Sequence, residues 1–216
     1  MKKENLERML ENMLSTGGDF AEIFLEDKKT TIYNYVDSNL DGYSVNYSSG
    51  LGLRLAKENN VYYAATNDFS NKNINSIINS LKENVNGKAI YDYVSLNRIK
   101  KYKNNHKTHY TNEDIKKLFN GLDKKIRIKD ERINQVSINL QNVKQNVTIA
   151  RENGLYKKEE RERTRLYITI SLKDNDKSCN IAYSYGKTIS LDLLDEINYD
   201  EVINNLVKEG LDKLYA

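Results

Sequence analysis

Proline and tryptophan are missing altogether from this 216-residue chain, cysteine occurs once and histidine twice. Only 8 Ala stand against 29 Asn and 19 Ile, the mark of a bias toward A/T-rich codons, so part of the lysine and tyrosine surplus reflects genome composition. The single Cys179 excludes an intramolecular disulfide and fits a reducing compartment. No apolar run approaches the roughly 20 residues that cross a bilayer. The opening Met-Lys-Lys-Glu-Asn leads into an amphipathic helix and not into an apolar signal core. An excess of one charge is missing too: 34 basic against 31 acidic residues leave +3, no global footprint for nucleic acid. The expectation is a soluble, cytoplasmic protein without a membrane partner.

What is present is periodicity, and a chain of this size can bury roughly 70–75% of its extended surface. Leu6, Met9, Leu10, Met13 and Leu14 recur at helical spacing until Gly17-Gly18. Short β-rich segments follow at 21–25, 31–36, 43–47, 52–56 and 61–66, with a tight turn expected at Asn59-Asn60. Ile74, Ile77, Ile78, Leu81 and Val85 predict a second helix opening at Ser70 or Asn71. Residues 86–110 are the least patterned. Thr111 with Asp114 predicts a capped third helix bearing Ile115, Leu118, Phe119, Leu122 and Ile126. Period-two alternation returns at Val136, Ile138, Leu140, at Val147, Ile149 and at Leu166–Leu172, with turns expected at Asn142, Asn153-Gly154 and 174–176. Residues 199–215 predict a closing helix. The order helix–strands–helix, then helix–strands–helix, predicts an α+β fold: a mostly antiparallel sheet with helices packed on one face. The two halves suggest a loose repeat without residue-level correspondence.

No complete catalytic or metal-binding constellation stands in the sequence. His106 and His109 could share one side of a helix, as a metal pair requires. Yet no Cys or carboxylate lies between Tyr93 and Asn112, and Arg98, Lys100, Lys101, Lys103 and Lys107 make that run cationic, so a solvated basic loop is the plainer reading. The flanking Tyr91, Tyr93, Tyr102 and Tyr110 could stack on bases, but the balanced charge argues against a nucleic-acid partner. Cys179 has no nearby histidine and reads as a small structural hydrophobe. Gly50-Leu51-Gly52 resembles the start of a phosphate loop but runs into a β-like segment, where glycine serves close backbone approach or a bulge. No carboxylate pair can be singled out as an acid/base couple. The run 157–165 (K-K-E-E-R-E-R-T-R) reads as a charged strand edge or hairpin arm.

Three passages resemble the TldD/PmbA family, closer to its TldD branch: Gly18-Asp19-Phe20-Ala21-Glu22-Ile23-Phe24-Leu25-Glu26; Ser49-Gly50-Leu51-Gly52-Leu53-Arg54 with Tyr62-Tyr63-Ala64-Ala65-Thr66-Asn67-Asp68; and Asp130-Glu131-Arg132-Ile133 leading through Val136, Leu140, Val143 and Asn153-Gly154 to Arg165-Leu166-Tyr167-Ile168-Thr169-Ile170. The resemblance implies that residues 1–216 form a single N-terminal domain of that type. Full-length members are zinc metallopeptidases, also described as modulators of DNA gyrase, that assemble with a PmbA-like (TldE) partner subunit. Their metal is held by a His-Glu-x-x-x-His helix and a distant Cys in a C-terminal catalytic domain. That motif is not in this sequence, so no zinc ligand carries over, no cofactor is expected in this chain, and alone it is expected to be inactive. It is then either the N-terminal portion of a longer protein or a naturally short family member. The implied role is to wall the chamber through which an extended, unfolded peptide reaches the catalytic domain, and to support assembly. Alternatives are a stand-alone peptide-binding or assembly protein and a nucleic-acid-associated module. Ser49, Gly50, Gly52, Arg54, Asn67 and Asp68 are the residues expected near substrate or at an interface, because two glycines weaken a strand unless close approach is useful.

Overall fold

The computed structural model describes residues 1–91, 93–103 and 108–216. Along the chain run α1 (Lys3–Leu14), β1 (Phe20–Val36), β2 (Asn39–Lys57), β3 (Asn60–Thr66), α2 (Asn71–Lys82), β4 (Arg98–Tyr102), α3 (Asn112–Arg127), β5 (Ile133–Arg151), β6 (Leu155–Asp174), β7 (Lys177–Lys187), a 3-10 helix (Leu191–Glu196) and α4 (Tyr199–Leu214). The strands follow the order β3-β2-β1-β5-β6-β4, and β7 also pairs with β6. The class is α+β and mostly antiparallel, as the pattern predicts, although β4 runs parallel to β6 from Arg98↔Leu155 to Tyr102↔Glu159.

Two compact units divide the chain, and each long strand changes unit part-way along: the first comprises Met1–Lys28, Tyr47–Asn104 and Gln145–Arg161, the second Lys29–Asn46, Asn105–Lys144 and Glu162–Ala216. In the first unit, Leu6, Leu10 and Met13 of α1 and Ile74, Ile78 and Leu81 of α2 close over Ala21, Ile23, Leu51, Leu53 and Leu55. Val94 and Leu96 join that core although nothing around them is periodic. Glu11 and Glu7 of α1 hold them there, accepting the Val94 and Leu96 backbone N–H groups at 3.1 and 2.8 Å. Ser70 caps α2, accepting from the Asn73 N–H at 3.3 Å.

The second unit has its own core, where Ile115, Phe119 and Ile126 of α3 and Ile203 and Leu206 of α4 meet Tyr35, Ile138, Leu140, Ile168 and Ile170. The Tyr35 and Phe119 rings meet edge-on, 5.8 Å apart and at 73°. Thr111 and Asp114 form the expected capping box of α3. The β1–β2 turn places Asp37 and Ser38 at φ 46° and 66°, a primed geometry that suits the strand twist but strains residues other than glycine. Side chains offset the strain: the Asp37 carboxylate accepts the Val136 N–H at 3.1 Å, and the Ser38 hydroxyl donates to buried Asp123 at 2.6 Å.

Three expectations need correction. The short segments of the first half are not separate strands: 21–25 with 31–36, and 43–47 with 52–56, fuse into β1 and β2. Asn142 is no turn residue but a buried mid-strand position of β5. Of the two readings of the charged run 157–165, the hairpin arm holds: it lies within β6, with β4 paired to it as far as Glu159 and β7 from Thr164 onward. The tight turn falls one residue earlier, on Glu58-Asn59, since Lys57 pairs with Asn60.

Candidate functional site

Alternation along the strands of the first unit builds a groove. Ala21 and Ile23 on β1 and Leu51, Leu53 and Leu55 on β2 face the helices, so residues of the other parity face away from them. On that outer face Gly50 and Gly52 leave a depression between Phe24 and Glu26 of β1 and Tyr63 and Ala65 of β3, a cavity of about 510 Å³. Ser48, Ser49 and Asn67 complete its rim. A Cβ on Gly52 would meet the Tyr63 hydroxyl oxygen at 2.9 Å and its ring carbons at 3.4 and 3.5 Å. The missing side chain at 52 is therefore what lets the Tyr63 ring lie across β2. Glu26 accepts from the Gln145 amide at 2.9 Å, which steadies a carboxylate at one end of the groove.

The backbone matters more than the side chains here. β2 and β3 pair from Lys57↔Asn60 to Leu51↔Thr66, and there β3 ends. In an antiparallel ladder every second residue exchanges both hydrogen bonds with its opposite number, and a two-residue turn sets the parity. Lys57, Leu55, Leu53 and Leu51 are then the bonded positions, and Ser49 is next in the series. Among the described residues its N–H and C=O point to the side that β3 has vacated. β3 departs sharply because Thr66 Oγ1 accepts from the Asp68 N–H at 3.0 Å and the Asn73 amide at 2.8 Å, turning the chain into α2.

Of the residues expected near a substrate, Ser49, Gly50, Gly52 and Asn67 come together on this cavity. Arg54 and Asp68 do not line it. Arg54 sits farther along β2, 3.6 Å from the Glu22 carboxylate, which Arg151 also holds. Asp68 shapes the turn, its Oδ1 accepting the Ser70 N–H at 2.8 Å. No sequence motif marks Phe24, Glu26, Tyr63 and Ala65, and their parity relative to the core-facing residues is the signal that places them on the cavity. His106 lies outside the described residues; His109 is exposed, with Asp192 and Asp195 facing it. The Cys179 thiol donates to the Gly210 carbonyl at 3.2 Å, joining β7 to α4 as a structural group.

Residues 21–85 match the family model for PmbA/TldA metallopeptidase domain 1, and residues 105–214 the model for the PmbA/TldA metallopeptidase central domain. The chain belongs to the PmbA/TldD family. Solved structures share the fold of this family member. One, from Bacteroides thetaiotaomicron, is described as a proposed modulator of DNA gyrase; the likeness has a TM-score of 0.71 at 15% identity and covers 98% of this chain and 50% of that one. Another proposed gyrase modulator, from Thermotoga maritima, has a TM-score of 0.66 at 12% identity, covering 97% and 47%. TldE from Thermococcus kodakarensis has a TM-score of 0.58 at 15% identity, covering 98% and 47%. The chain thus spans about half the length of these relatives. No curated protein matches. The chain's two histidines, His106 and His109, stand in His-Lys-Thr-His and not in the His-Glu-x-x-x-His that the resemblance implies for zinc. Among the described residues, no helix is long and apolar enough to cross a membrane.

Proposed function

We propose that this chain is the non-catalytic, peptide-handling part of a TldD-like zinc metallopeptidase. It takes an extended peptide as an added strand on β2, while a C-terminal catalytic domain and a PmbA-type partner subunit complete the assembly. The observation that supports this reading is the open edge of β2 at Ser49, in line with the end of β3 and beside a glycine-floored cavity. Strand addition recognises main chain first, so its affinity tolerates many sequences, while alternate side chains are read by shallow pockets. Each backbone hydrogen bond contributes about 0.5–1.5 kcal/mol net. A strand gripped over a few residues is held weakly, which suits a surface that passes peptide onward. Folded proteins hide their extended segments, so the edge favours unfolded chains.

The test is fluorescence anisotropy with labelled, unstructured peptides of varied sequence added to the 216-residue chain. Saturable binding is expected, with affinity at least tenfold lower for Ser49→Pro, which removes the N–H that a peptide would use. Circular dichroism confirms that the variant folds. Unchanged affinity in a folded Ser49→Pro variant, or no binding by the parent chain, would overturn the strand-addition reading. Cleavage of the peptides by this chain alone would overturn its non-catalytic assignment.

A further inference from the structure

We infer that His109, Asp192 and Asp195, on the second unit, form a binding site for a divalent transition-metal ion of zinc's class, separate from the chemistry proposed above. One donor atom from each of the three residues lies within 4.8 Å of the other two. His109 Nδ1 is 3.9 Å from Asp192 Oδ1, and its Nε2 is 3.8 Å from Asp195 Oδ2. These distances are too long for hydrogen bonds, and an ion reaching about 2.0–2.2 Å to each donor would fill the gap. His109 is 70% and Asp195 51% exposed in its side chain, so a small rotation of each brings one ring nitrogen and one oxygen to an ion beside Asp192.

A second observation points the same way. Asp192 Oδ1, the oxygen turned toward the imidazole, is buried and has no hydrogen-bond donor among the described residues. A carboxylate oxygen withdrawn from water without a donor is costly, and a cation is the partner that relieves it. Among the described residues neither Asp192 nor Asp195 has a lysine or arginine partner. The Tyr110 hydroxyl donates to Asp195 Oδ1 at 2.5 Å, which leaves Oδ2 turned to the histidine. Hydrogen bonds of this kind hold a ligating carboxylate in orientation.

The donor set, one imidazole and two carboxylates, is borderline in softness and selects first-row ions over magnesium or calcium. Sequence spacing conceals it, because the acids come from the 3-10 helix and the histidine from the segment before α3. An ion there would pin the entry of α3 to the 3-10 helix, a structural role with open coordination positions left to water.

The experiment is a titration of the chelator-stripped 216-residue chain with cobalt(II), read by its visible absorption, and with zinc(II), read by calorimetry and thermal unfolding. One saturable ion per chain is expected, with a higher Tm when zinc is present. His109→Ala and Asp192→Asn should each weaken binding at least tenfold and remove the cobalt band, whereas Asp41→Asn, on β2, should leave both unchanged. His109 is exposed, so its variant is expected to fold, and circular dichroism checks it. Absence of a saturable site in the parent chain, or undiminished binding in both folded variants, overturns the assignment.

Discussion

Asn142 donates from its side-chain amide to Glu162 Oε1 and to Thr164 Oγ1, each at 2.9 Å, inside the second unit. All three residues are buried, and Lys144 approaches the same Glu162 oxygen at 3.6 Å. The Thr164 hydroxyl in turn donates a hydrogen bond to the Ile189 carbonyl at 2.9 Å. The amide thus serves two acceptors that water cannot easily reach. Asn142→Leu keeps the volume and removes both donors while Lys144 still faces Glu162, so urea unfolding should show a loss of about 1–3 kcal/mol, the scale for leaving a buried acceptor short of a donor. Glu162→Gln, which keeps a carbonyl oxygen for the amide, should cost markedly less. Equal losses in the two variants would mean that packing, not the hydrogen bonds, sets the stability here.

That same asparagine shows what sequence alone could and could not yield. Helices were legible because Leu6–Leu14, Ile74–Leu81 and Ile115–Ile126 repeat at 3.6 residues and bury that stripe. Strand ends were not. The breaks in alternation at 26–30, at 48–51 and at Asn142 read as turns, yet each lies close to where a continuous strand leaves one unit for the other. A polar residue such as Asn142 can sit mid-strand once Glu162 and Thr164 satisfy it, and those partners come from another strand. β4 was invisible because all five of its residues are exposed and nothing in it alternates. Of the groove, Gly50 and Gly52 were readable as glycines inside a strand. The roles of Phe24 and Tyr63 depend on cross-strand register, which a short motif does not carry.

Removing the cap of α3 tests how far that helix depends on its own sequence. Thr111 Oγ1 accepts the Asp114 N–H at 3.2 Å, and Asp114 Oδ2 accepts the Thr111 N–H at 3.0 Å. Thr111→Ala should lower stability by about 1 kcal/mol in thermal or urea unfolding. Thr111→Ser, which preserves the oxygen, should recover most of it.

Acid should loosen the turn between α3 and β5. The Arg132 guanidinium donates twice to Asp130, at 2.7 and 2.6 Å, and once to the Tyr215 hydroxyl at 2.8 Å. The Arg132 hydrogen bonds hold the Asp130 carboxyl down at about 2. A folded value below the ordinary one means a contribution fully present above about pH 4 and lost as pH falls toward about 2. Because the pair is partly exposed, solvent screening keeps its share small. Asp130→Asn should flatten that part of the stability–pH curve and change stability little at neutral pH. An unchanged acid limb in the variant would assign the effect to other carboxylates.

Gly52 separates the packing role of the groove from its proposed use. Its added Cβ would collide with the far end of Tyr63, a side chain that is 65% exposed and can swing away, and not with backbone. Gly52→Val also introduces a residue that favours extended backbone. Its effect on unfolding free energy should therefore lie within about 1 kcal/mol, the span of strand propensities in a host sheet. Peptide affinity should respond differently, because valine raises the floor beside the open edge at Ser49 and drives the Tyr63 ring into the space that a peptide would take. At least a tenfold loss of affinity at near-constant stability is expected, and Tyr63→Ala in the same background should restore part of it by reopening the wall. If Gly52→Val binds peptide as the parent chain does, Gly52 serves only to seat Tyr63, and the groove is not where peptide is held.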